Sequence, residues 1–535
     1  MSERADIVVA GAGHNSLITA AYLAKAGHEV VVLDARRIPG GGAASEEMLA
    51  PGYLIDSCST GHTLIQTNPL LVDDELELLE RYGLSYIQPD PFAHVAFPDG
   101  RQLTMWLDVE HSCEELARFS RRDADAYRRM LSEYDAVKGI FGAVRFTPPG
   151  FGPTLAERLQ DHPDGRRWLR RSMMSAWDVV RSQYESPHVQ SFMLWQAFQT
   201  LVPVDSAGSG PLAYSIVFGR QRRSWTLPRG GSGRLADALV GVIEDNGGTV
   251  LCDRLVTRLV LDGGRCVGVE TEDGERYLAR EAVVSTIHVK HLIDMAPPEV
   301  WDEDFRWGVE TYDLGLSGFA VYMATTEPPL FETSEGPRSA VSAGLVGWPQ
   351  DVVDHGRRLR DGRYDPEPAW MLVATPTLVD PSRAPEGRHT VKFLSGQAWR
   401  LPQGETSWDE LKQRQAAHQL ERVRRFAPNL ADDVILTSLV KSPADIERSN
   451  RHMIHGTFHG GDRGLAQSGL LRPAPGWGQH RLPIPGLYQT GGTTHPGGSI
   501  TGAPGRNAAM VILSDLGSSL EEVIERSKSP MSTRT

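Results

Sequence analysis

This chain of 535 residues has few cysteines, no long apolar run and no excess of basic charge. Its four cysteines include no C-x-x-C pair, which excludes a fold held together by disulfides. No stretch reaches the roughly 18 consecutive apolar residues of a membrane span. The net charge of −13 argues against nucleic acid as a partner, because proteins that bind it usually carry a basic face.

The amino-terminal residues and the few cysteines bear on where the protein resides. Residues 7–10 are apolar, but the run is too short for a signal peptide, and glycines follow it instead of a cleavage site. We therefore expect a cytoplasmic protein, and peripheral contact with a membrane stays open. The tail after residue 526 is expected to be disordered.

Glycine is plentiful, with 54 residues, and three glycine clusters accompany predicted strand–helix junctions. The first cluster lies in a predicted strand–helix–strand unit with elements at 5–10, 17–26 and 29–33. Its G-A-G-H-N-S sequence matches the dinucleotide-binding fingerprint, with serine in place of the third glycine. The first glycine permits a tight turn, and the second lets a pyrophosphate approach the helix N-terminus. The cofactor-binding residues predicted here are Gly11, Gly13, His14, Asn15, Ser16 and, for a ribose hydroxyl, Asp34.

The second cluster follows Asp34 and favours FAD over NAD. Glycines just beyond the acidic residue would let the chain pass close to an extended cofactor again. This suits FAD, because its ribityl and flavin ends run further along the protein. The predicted contacts are Ala35, Arg36, Gly41, Gly42 and Ala43, although Arg36 could equally be a solvated side chain.

The third cluster follows a predicted strand at 487–490 and opens a predicted helix at 502–514. A helix N-terminus directed at the flavin would stabilise the negative charge of the reduced ring. The predicted contacts are Gly492, Gly498, Ser499 and Ile500. If the first and third clusters contact one cofactor, both ends of the chain contribute to the cofactor domain.

The remaining segments predict an α/β fold with a Rossmann-like FAD-binding domain and an interleaved mixed-sheet and helical substrate domain. Helices are predicted at 71–82, 123–144, 235–246 and 408–426, with 166–219 largely helical. A β-meander is predicted within 249–286, and strands of another sheet are predicted at 312–325, 369–376 and 390–396. The predicted FAD-binding domain comprises 1–90, 220–298 and 478–535, and the predicted substrate domain comprises 91–219 and 299–477.

Several motifs in this order resemble the phytoene desaturase-like and carotenoid ketolase-like branch of the flavin amine oxidase superfamily. The motifs are GAGHNS, LDARRIPGGGAAS, PRGGSGRL, VVSTIH and GLYQTGGTTHPGGSITGAPG. The resemblance implies FAD and places the backbone of Val256 against the adenine. The glycine clusters, with no cysteine or histidine in a flavin-linkage motif, predict that the FAD is bound non-covalently. It also implies a carotenoid-like or isoprenoid-like substrate.

Three histidines are candidates for the catalytic base that a desaturation needs: His62, His459 and His495. Some amine oxidases of the superfamily place a lysine beside the flavin, and Lys392 is the residue to test, against the alternative of an ordinary solvated lysine. The spacing of His455, His459 and Asp462 would suit a metal on a helix. The intervening glycines disfavour a helix, so no metal is predicted.

These features together predict an FAD-dependent oxidoreductase that dehydrogenates or oxidises a largely apolar small molecule, with a hydride passing to the flavin. An amine or alicyclic-ketone oxidase or desaturase on the same scaffold is an alternative. A lipid-carrying protein resembling Rab GDP-dissociation inhibitors is an alternative of another class. The electron acceptor, O2 or another, and the oligomeric state stay open.

Overall fold

The computed structural model describes residues 3–528. It contains two seven-stranded sheets, and the one that includes Glu3–Ala10 is here called the first sheet. The strand Glu3–Ala10 pairs in parallel with Val30–Leu33 on one side and with Arg276–Ser285 on the other. Its apolar residues are buried, as expected for a central parallel strand covered on both faces. The strand order is Val256–Asp262, Arg265–Thr271, Arg276–Ser285, Glu3–Ala10, Val30–Leu33 and Thr249–Leu251, and Leu487–Gln489 also pairs with Arg276–Ser285.

The predicted β-meander is confirmed for three strands and wrong for the first. Val256–Asp262, Arg265–Thr271 and Arg276–Ser285 are antiparallel neighbours. Thr249–Leu251 instead pairs in parallel with Val30–Leu33 at the opposite edge of the sheet. Gly248 explains this path, because a Cβ there would lie 3.0 Å from the carbonyl oxygen of Val30 and 2.6 Å from the side chain of Ile243.

Three helices cover one face of the first sheet: His14–Lys25, Arg234–Asp245 and Ala503–Asp515. The first and last of them approach very closely, since a Cβ on Gly505 would stand 2.3 Å from the carbonyl oxygen of Asn15. The opposite face packs against Glu303–Glu310, with Trp301 and Phe305 in the core. The predicted helices at 235–246 and 502–514 are thereby confirmed.

A second seven-stranded sheet, here called the second sheet, lies against a layer of helices. The longest of these helices, Arg121–Arg145, confirms the prediction at 123–144. Two indoles join sheet and helices, because Trp195 donates to the carbonyl of Met371 and Trp370 donates to the carbonyl of Trp195, both at 2.9 Å. The strand order is Ile435–Lys441, Ser317–Thr325, His389–Gln397, Trp370–Ala374, Ser342–Val346, Ala93–Ala96 and Gln102–Met105.

The remaining elements are short strands and helices that connect these layers. The paired short strands are Ser45–Glu46 with Ile55–Asp56, Tyr86–Ile87 with Leu227–Pro228, and Phe331–Thr333 with Gly336–Arg338. The remaining α-helices are Pro69–Val72, Val109–Ala117, Leu155–Leu159, Gly165–Met173, Ala176–Gln183, Pro187–Phe198, Leu212–Arg223, Val289–Leu292, Pro349–Arg360, Trp408–Arg424, Pro443–Ser449 and Leu520–Lys528. The last helix covers Ser527 and Lys528 of the predicted disordered tail, and the rest of that tail lies outside the described residues.

The predicted helix at 71–82 is wrong, because the helix Pro69–Val72 ends where the acidic residues begin. Asp74 and Glu77 have φ values of 46° and 59°, and the Asp74 carboxylate accepts the backbone N–H of Leu79 at 3.1 Å. Aspartate side chains compete in this way with helical hydrogen bonds. Glu75 is buried and pairs with Arg506 at 2.7 Å, so this acidic residue is held by the helix Ala503–Asp515.

The first sheet takes its strands from three separated stretches, 3–33, 249–285 and 487–489. Between them the chain leaves to build the second sheet and the helical layer. The predicted domain limits stay a prediction, but this alternation agrees with an interleaved α/β architecture.

Candidate functional site

A cavity of about 650 Å³ begins at the glycine-rich turn after Glu3–Ala10 and reaches the helical layer and the second sheet. Most of the sequence-predicted cofactor residues line it, and two do not. Ser16 turns inward and donates to the carbonyl of Gly13 at 2.9 Å, while Ala43 is fully buried. The predicted residues along the cavity wall are Gly11, Gly13, His14, Asn15, Asp34, Ala35, Arg36, Gly41, Gly42, Val256, Gly492, Gly498, Ser499 and Ile500.

In the first glycine cluster, Gly11 and Gly13 are needed for different reasons. Gly11 has a φ of 103°, and a Cβ there would stand 2.3 Å from the side chain of Thr286. Gly13 has an ordinary extended backbone, and a Cβ there would meet nothing closer than Ser16 Oγ at 3.9 Å. The space in front of Gly13 therefore belongs to the cavity, whereas the space at Gly11 is filled by protein.

The helix His14–Lys25 begins at this open space. Within the described residues, the backbone N–H groups of Asn15 and Ser16 find no acceptor, as at any uncapped helix N-terminus. Asp34 accepts the backbone N–H groups of Ala12 at 2.6 Å and Arg36 at 2.8 Å, while burial raises its pKa. Free donors beside an open space fit a pyrophosphate, which the helix dipole also favours.

The second glycine cluster packs directly on the first. The N–H of Gly40 donates to the carbonyl of Ala12 at 2.7 Å, and a Cβ on Gly41 would lie 3.1 Å from the Cα of Gly13. Arg36 donates to the carbonyl of Gly41 at 3.0 Å and pairs with Glu46 at 2.9 Å. Arg36 is thus neither simply solvated nor free, because it holds the second cluster against the first.

The third glycine cluster rests on a loop that contains His459. A Cβ on Gly498 would stand 2.2 Å from the carbonyl oxygen of His459. Buried Arg472 ties the two segments together by donating to the carbonyls of Gly492 at 3.1 Å and Asp462 at 2.5 Å. Of this cluster, Gly491, Gly492 and Gly498 to Ile500 line the cavity, and the helix begins at Ala503.

The three candidate histidines occupy different environments. His459 lines the cavity, its Nδ1 has no hydrogen-bond partner, and burial lowers its pKa to about 3. His62 lies outside the lining and is 2.7 Å from Ser232 Oγ, with its pKa lowered to about 3 by burial. His495, also outside the lining, donates through Nε2 to the carbonyl of Val144 at 3.0 Å, and burial lowers its pKa to about 4.

Lys392 is not a solvated lysine. It lines the cavity from strand His389–Gln397, is 7% exposed, and donates to the carbonyls of Cys58 and Asp56. Burial lowers the pKa of its ammonium group. The sequence places Lys392 in a strand, but only the register of the second sheet shows which face of that strand it occupies.

Sequence reasoning missed other polar residues of the lining, including His288, His452 and Arg220. The rings of His288 and His452 are 5.3 Å apart, and burial lowers the pKa of His452 to about 4. His288 ends the VVSTIH motif, which was a usable signal. Arg220 lies in an arginine-rich helix end that gives no such signal, because Arg222 is exposed and Arg223 is half-buried although the residue type is the same.

A buried ion pair fixes the loop between Leu227–Pro228 and Arg234–Asp245. Asp56 pairs with Arg383 and also accepts from Ser45 Oγ at 2.7 Å and the N–H of Ser232 at 2.8 Å. Arg383 keeps the pKa of Asp56 below its usual range despite burial. This cluster joins a hairpin beside the first sheet to a segment preceding strand His389–Gln397.

Residues 3–528 contain no group of three or more side chains arranged to hold a metal ion. Over the same span, no helix combines the length and apolarity needed to cross a bilayer.

Relatives of known activity extend along nearly the whole chain. A component of the limonene dehydrogenase of Castellaniella defragrans is 27% identical over 97% of this chain and 96% of its own. The lycopene-forming phytoene desaturase of Pantoea ananas is 26% identical over 95% of this chain and 99% of its own.

Solved structures share the fold. Putrescine oxidase bound to putrescine superposes with a TM-score of 0.61 at 14% identity, covering 96% of this chain and 99% of that one. The Rab GDI of Plasmodium falciparum superposes with a TM-score of 0.52 at 12% identity, covering 97% and 99%. At such identities these two likenesses show the fold alone.

The family model for flavin-containing amine oxidoreductases matches residues 17–513. Together with the open space at Gly13, this match identifies the cofactor as FAD and the protein as an oxidoreductase. The chain belongs to the flavin-containing amine oxidoreductase family.

Proposed function

We propose that this protein uses FAD to dehydrogenate a largely apolar, isoprenoid-like small molecule. The observation that carries the proposal is the continuity of the cavity, which runs from the glycine clusters into an apolar chamber. The chamber is lined by Leu201, Ile216, Trp225, Leu372, Leu394 and Phe458. The similarity of this chain to a limonene dehydrogenase component and to a phytoene desaturase supports a substrate of this kind.

Bound FAD would accept a hydride from a substrate C–H bond. The glycine clusters around Gly13, Gly41 and Gly498 would hold the cofactor, and the apolar chamber would orient the substrate and exclude water. His459 is the candidate base, because it alone of the three predicted histidines lines the cavity with an unpartnered nitrogen. Burial lowers the pKa of His459 to about 3, so its imidazole is neutral at pH 7.

The test is anaerobic bleaching of the purified yellow protein by a panel of carotenoids, monoterpenes, amines and cyclic ketones. We expect a terpenoid or carotenoid to reduce the flavin, and amines to leave it oxidised. Reduction by amines alone would replace the proposal with an amine oxidase. Protein that is purified without flavin and cannot be reconstituted with FAD would favour the carrier alternative. The electron acceptor follows from reoxidising the reduced protein with O2 or an artificial quinone.

A further inference from the structure

Arg220 is a buried cation in the apolar chamber with an unsatisfied donor. It belongs to the helix Leu212–Arg223, is 3% exposed and lines the cavity. Its Nη2 donates to Oε1 of Gln199, and its Nη1 has no hydrogen-bond partner. A buried polar group without a partner costs free energy, so such a group in a cavity wall is a potential contact for a bound ligand or water.

Among the described residues, the charge of Arg220 meets one amide oxygen and two indole rings but no carboxylate. Its guanidinium lies 5.8 Å from the ring of Trp195 and 5.7 Å from the ring of Trp225. Burial lowers its pKa to about 9, so it is still protonated at neutral pH.

Gln199 adds a second donor with a fixed orientation. A guanidinium can only donate, so the amide oxygen of Gln199 must face Arg220 and its Nε2 must point elsewhere. That Nε2 is buried and has no partner, and Gln199 also lines the cavity. Two neighbouring donors, one of them charged, are thus left without acceptors in one wall of the chamber.

The carboxylates of the cavity lining are elsewhere. Asp34 and Asp294 are the acidic residues among the described lining. Asp34 follows the strand Val30–Leu33, and Asp294 lies in the short turn Ile293–Met295 after the helix Val289–Leu292. The chamber itself carries the cations Arg220 and Lys392. An anionic group is favoured in such a chamber, and a cationic amine is disfavoured.

We propose that the substrate is an apolar carboxylic acid whose carboxylate is bound by Arg220 and Gln199. This inference rests on the proposed function and narrows its substrate class. Nη1 of Arg220 and Nε2 of Gln199 would donate to the carboxylate oxygens, and the hydrocarbon body would fill the chamber towards Leu372 and Leu394. Charged hydrogen bonds of this kind are shorter and stronger than neutral ones.

The experiment compares three probes that differ only in the head group: farnesoic acid, its methyl ester and farnesylamine. Each is titrated into the FAD-loaded protein without oxygen, and binding is followed by the shift of the flavin absorption band. We expect the acid to bind most tightly. Arg220→Met should weaken binding of the acid by about 30-fold or more and leave the ester unchanged, because truncating one partner of a buried charge pair has effects of this size.

Controls separate this interpretation from damage to the fold. Arg222→Met removes an exposed arginine two residues further along the same helix and should change neither affinity. Arg220→Lys keeps the charge and should recover part of the affinity for the acid. FAD content and melting temperature are measured for every variant.

The outcomes distinguish this inference from the proposed function. Equal affinity for acid and ester, no binding of the acid, or acid affinity unchanged in Arg220→Met would overturn it, even if a neutral terpenoid reduces the flavin. Loss of FAD from Arg220→Met would assign the guanidinium to the cofactor and overturn it too. Arg220-dependent binding of the acid, with no probe or panel compound reducing the flavin, would leave the inference standing and remove the proposed redox function.

Discussion

Neighbouring residues of one motif have different roles in this protein, since one leaves room for the cofactor and another is required by the packing of the fold. Gly11 and Gly13 stand two positions apart in the same motif and both line the cavity, yet a Cβ on Gly11 would meet Thr286 whereas a Cβ on Gly13 would enter open space. The sequence predicts both as cofactor contacts, because the motif does not show in which direction a Cβ at each glycine would point. Likewise, it offers three candidate histidines, and only His459 reaches the cavity.

Replacing Gly13 should remove the cofactor and spare the fold. Gly13→Val places a side chain where the pyrophosphate would approach the helix, on a backbone that any residue can adopt. We expect a folded protein with little or no FAD, measured by the ratio of flavin to protein absorbance and by circular dichroism. Gly139→Val, on the exposed side of Arg121–Arg145, is the control. Full flavin occupancy in Gly13→Val would contradict this placement of FAD.

His459 and His495 should differ in their effect on turnover. If His459 accepts the substrate proton, His459→Ala should lower kcat by about 10²- to 10⁴-fold while FAD occupancy stays near wild type. His495→Ala should change kcat much less, because its ring binds the carbonyl of Val144 away from the lining. Steady-state kinetics on both variants test this, and an equal loss in the two would remove His459 as the base.

At the scale of elements, the third glycine cluster is a packing surface as well as a cavity wall. The sequence predicts Gly498 as a contact of the cofactor, so a side chain there is expected to meet the flavin. In the structure, a side chain at Gly498 would first clash with the carbonyl oxygen of His459. No pattern in the sequence indicates that the loop containing His459 contacts the third glycine cluster. The predicted strands and long helices need only local periodicity, and they are confirmed. The helix predicted at 71–82 is wrong because Asp74 caps a turn and Glu75 pairs with the distant Arg506.

Gly498→Ala should therefore destabilise the loop that contains His459, whether or not the flavin is bound. We expect a lower melting temperature even in protein stripped of FAD, because the added Cβ would overlap the backbone of His459. Differential scanning fluorimetry of the stripped protein measures this. A variant that melts like wild type without FAD and binds FAD poorly would restore the direct clash with the cofactor.

The buried Asp56–Arg383 pair should be costly to break. Asp56→Asn leaves the guanidinium buried opposite a neutral group, and we expect a loss of about 3–5 kcal/mol in the free energy of unfolding. Asp164→Asn breaks an exposed pair with Arg167 and should cost less than about 1 kcal/mol. Denaturant unfolding of the two variants makes the comparison, and equal losses would contradict it.

For the whole molecule, buried histidines set the response to acid. Burial lowers the pKa of His14, His452 and His495 to about 4 and that of His62, His459 and His480 to about 3. An unfolded chain takes up these protons near pH 6.5, whereas the folded protein does so only near pH 3–4. Stability should therefore be highest above pH 6.5 and fall between pH 6.5 and 4, by up to about 1.4 kcal/mol per pKa unit for each group. Melting temperatures measured across this range test the direction, and a melting temperature that rises towards pH 4 would contradict it.

The way the first sheet is assembled also governs when the protein can acquire its cofactor during synthesis. The ribosome completes Glu3–Ala10 early, but Leu487–Gln489 and Ala503–Asp515, which pack beside it, are translated long afterwards. Nascent chains that lack these segments have no third wall around the flavin, so FAD capture must follow translation instead of guiding it. Fragments released early should be colourless, and flavin colour would report that translation had passed the third glycine cluster.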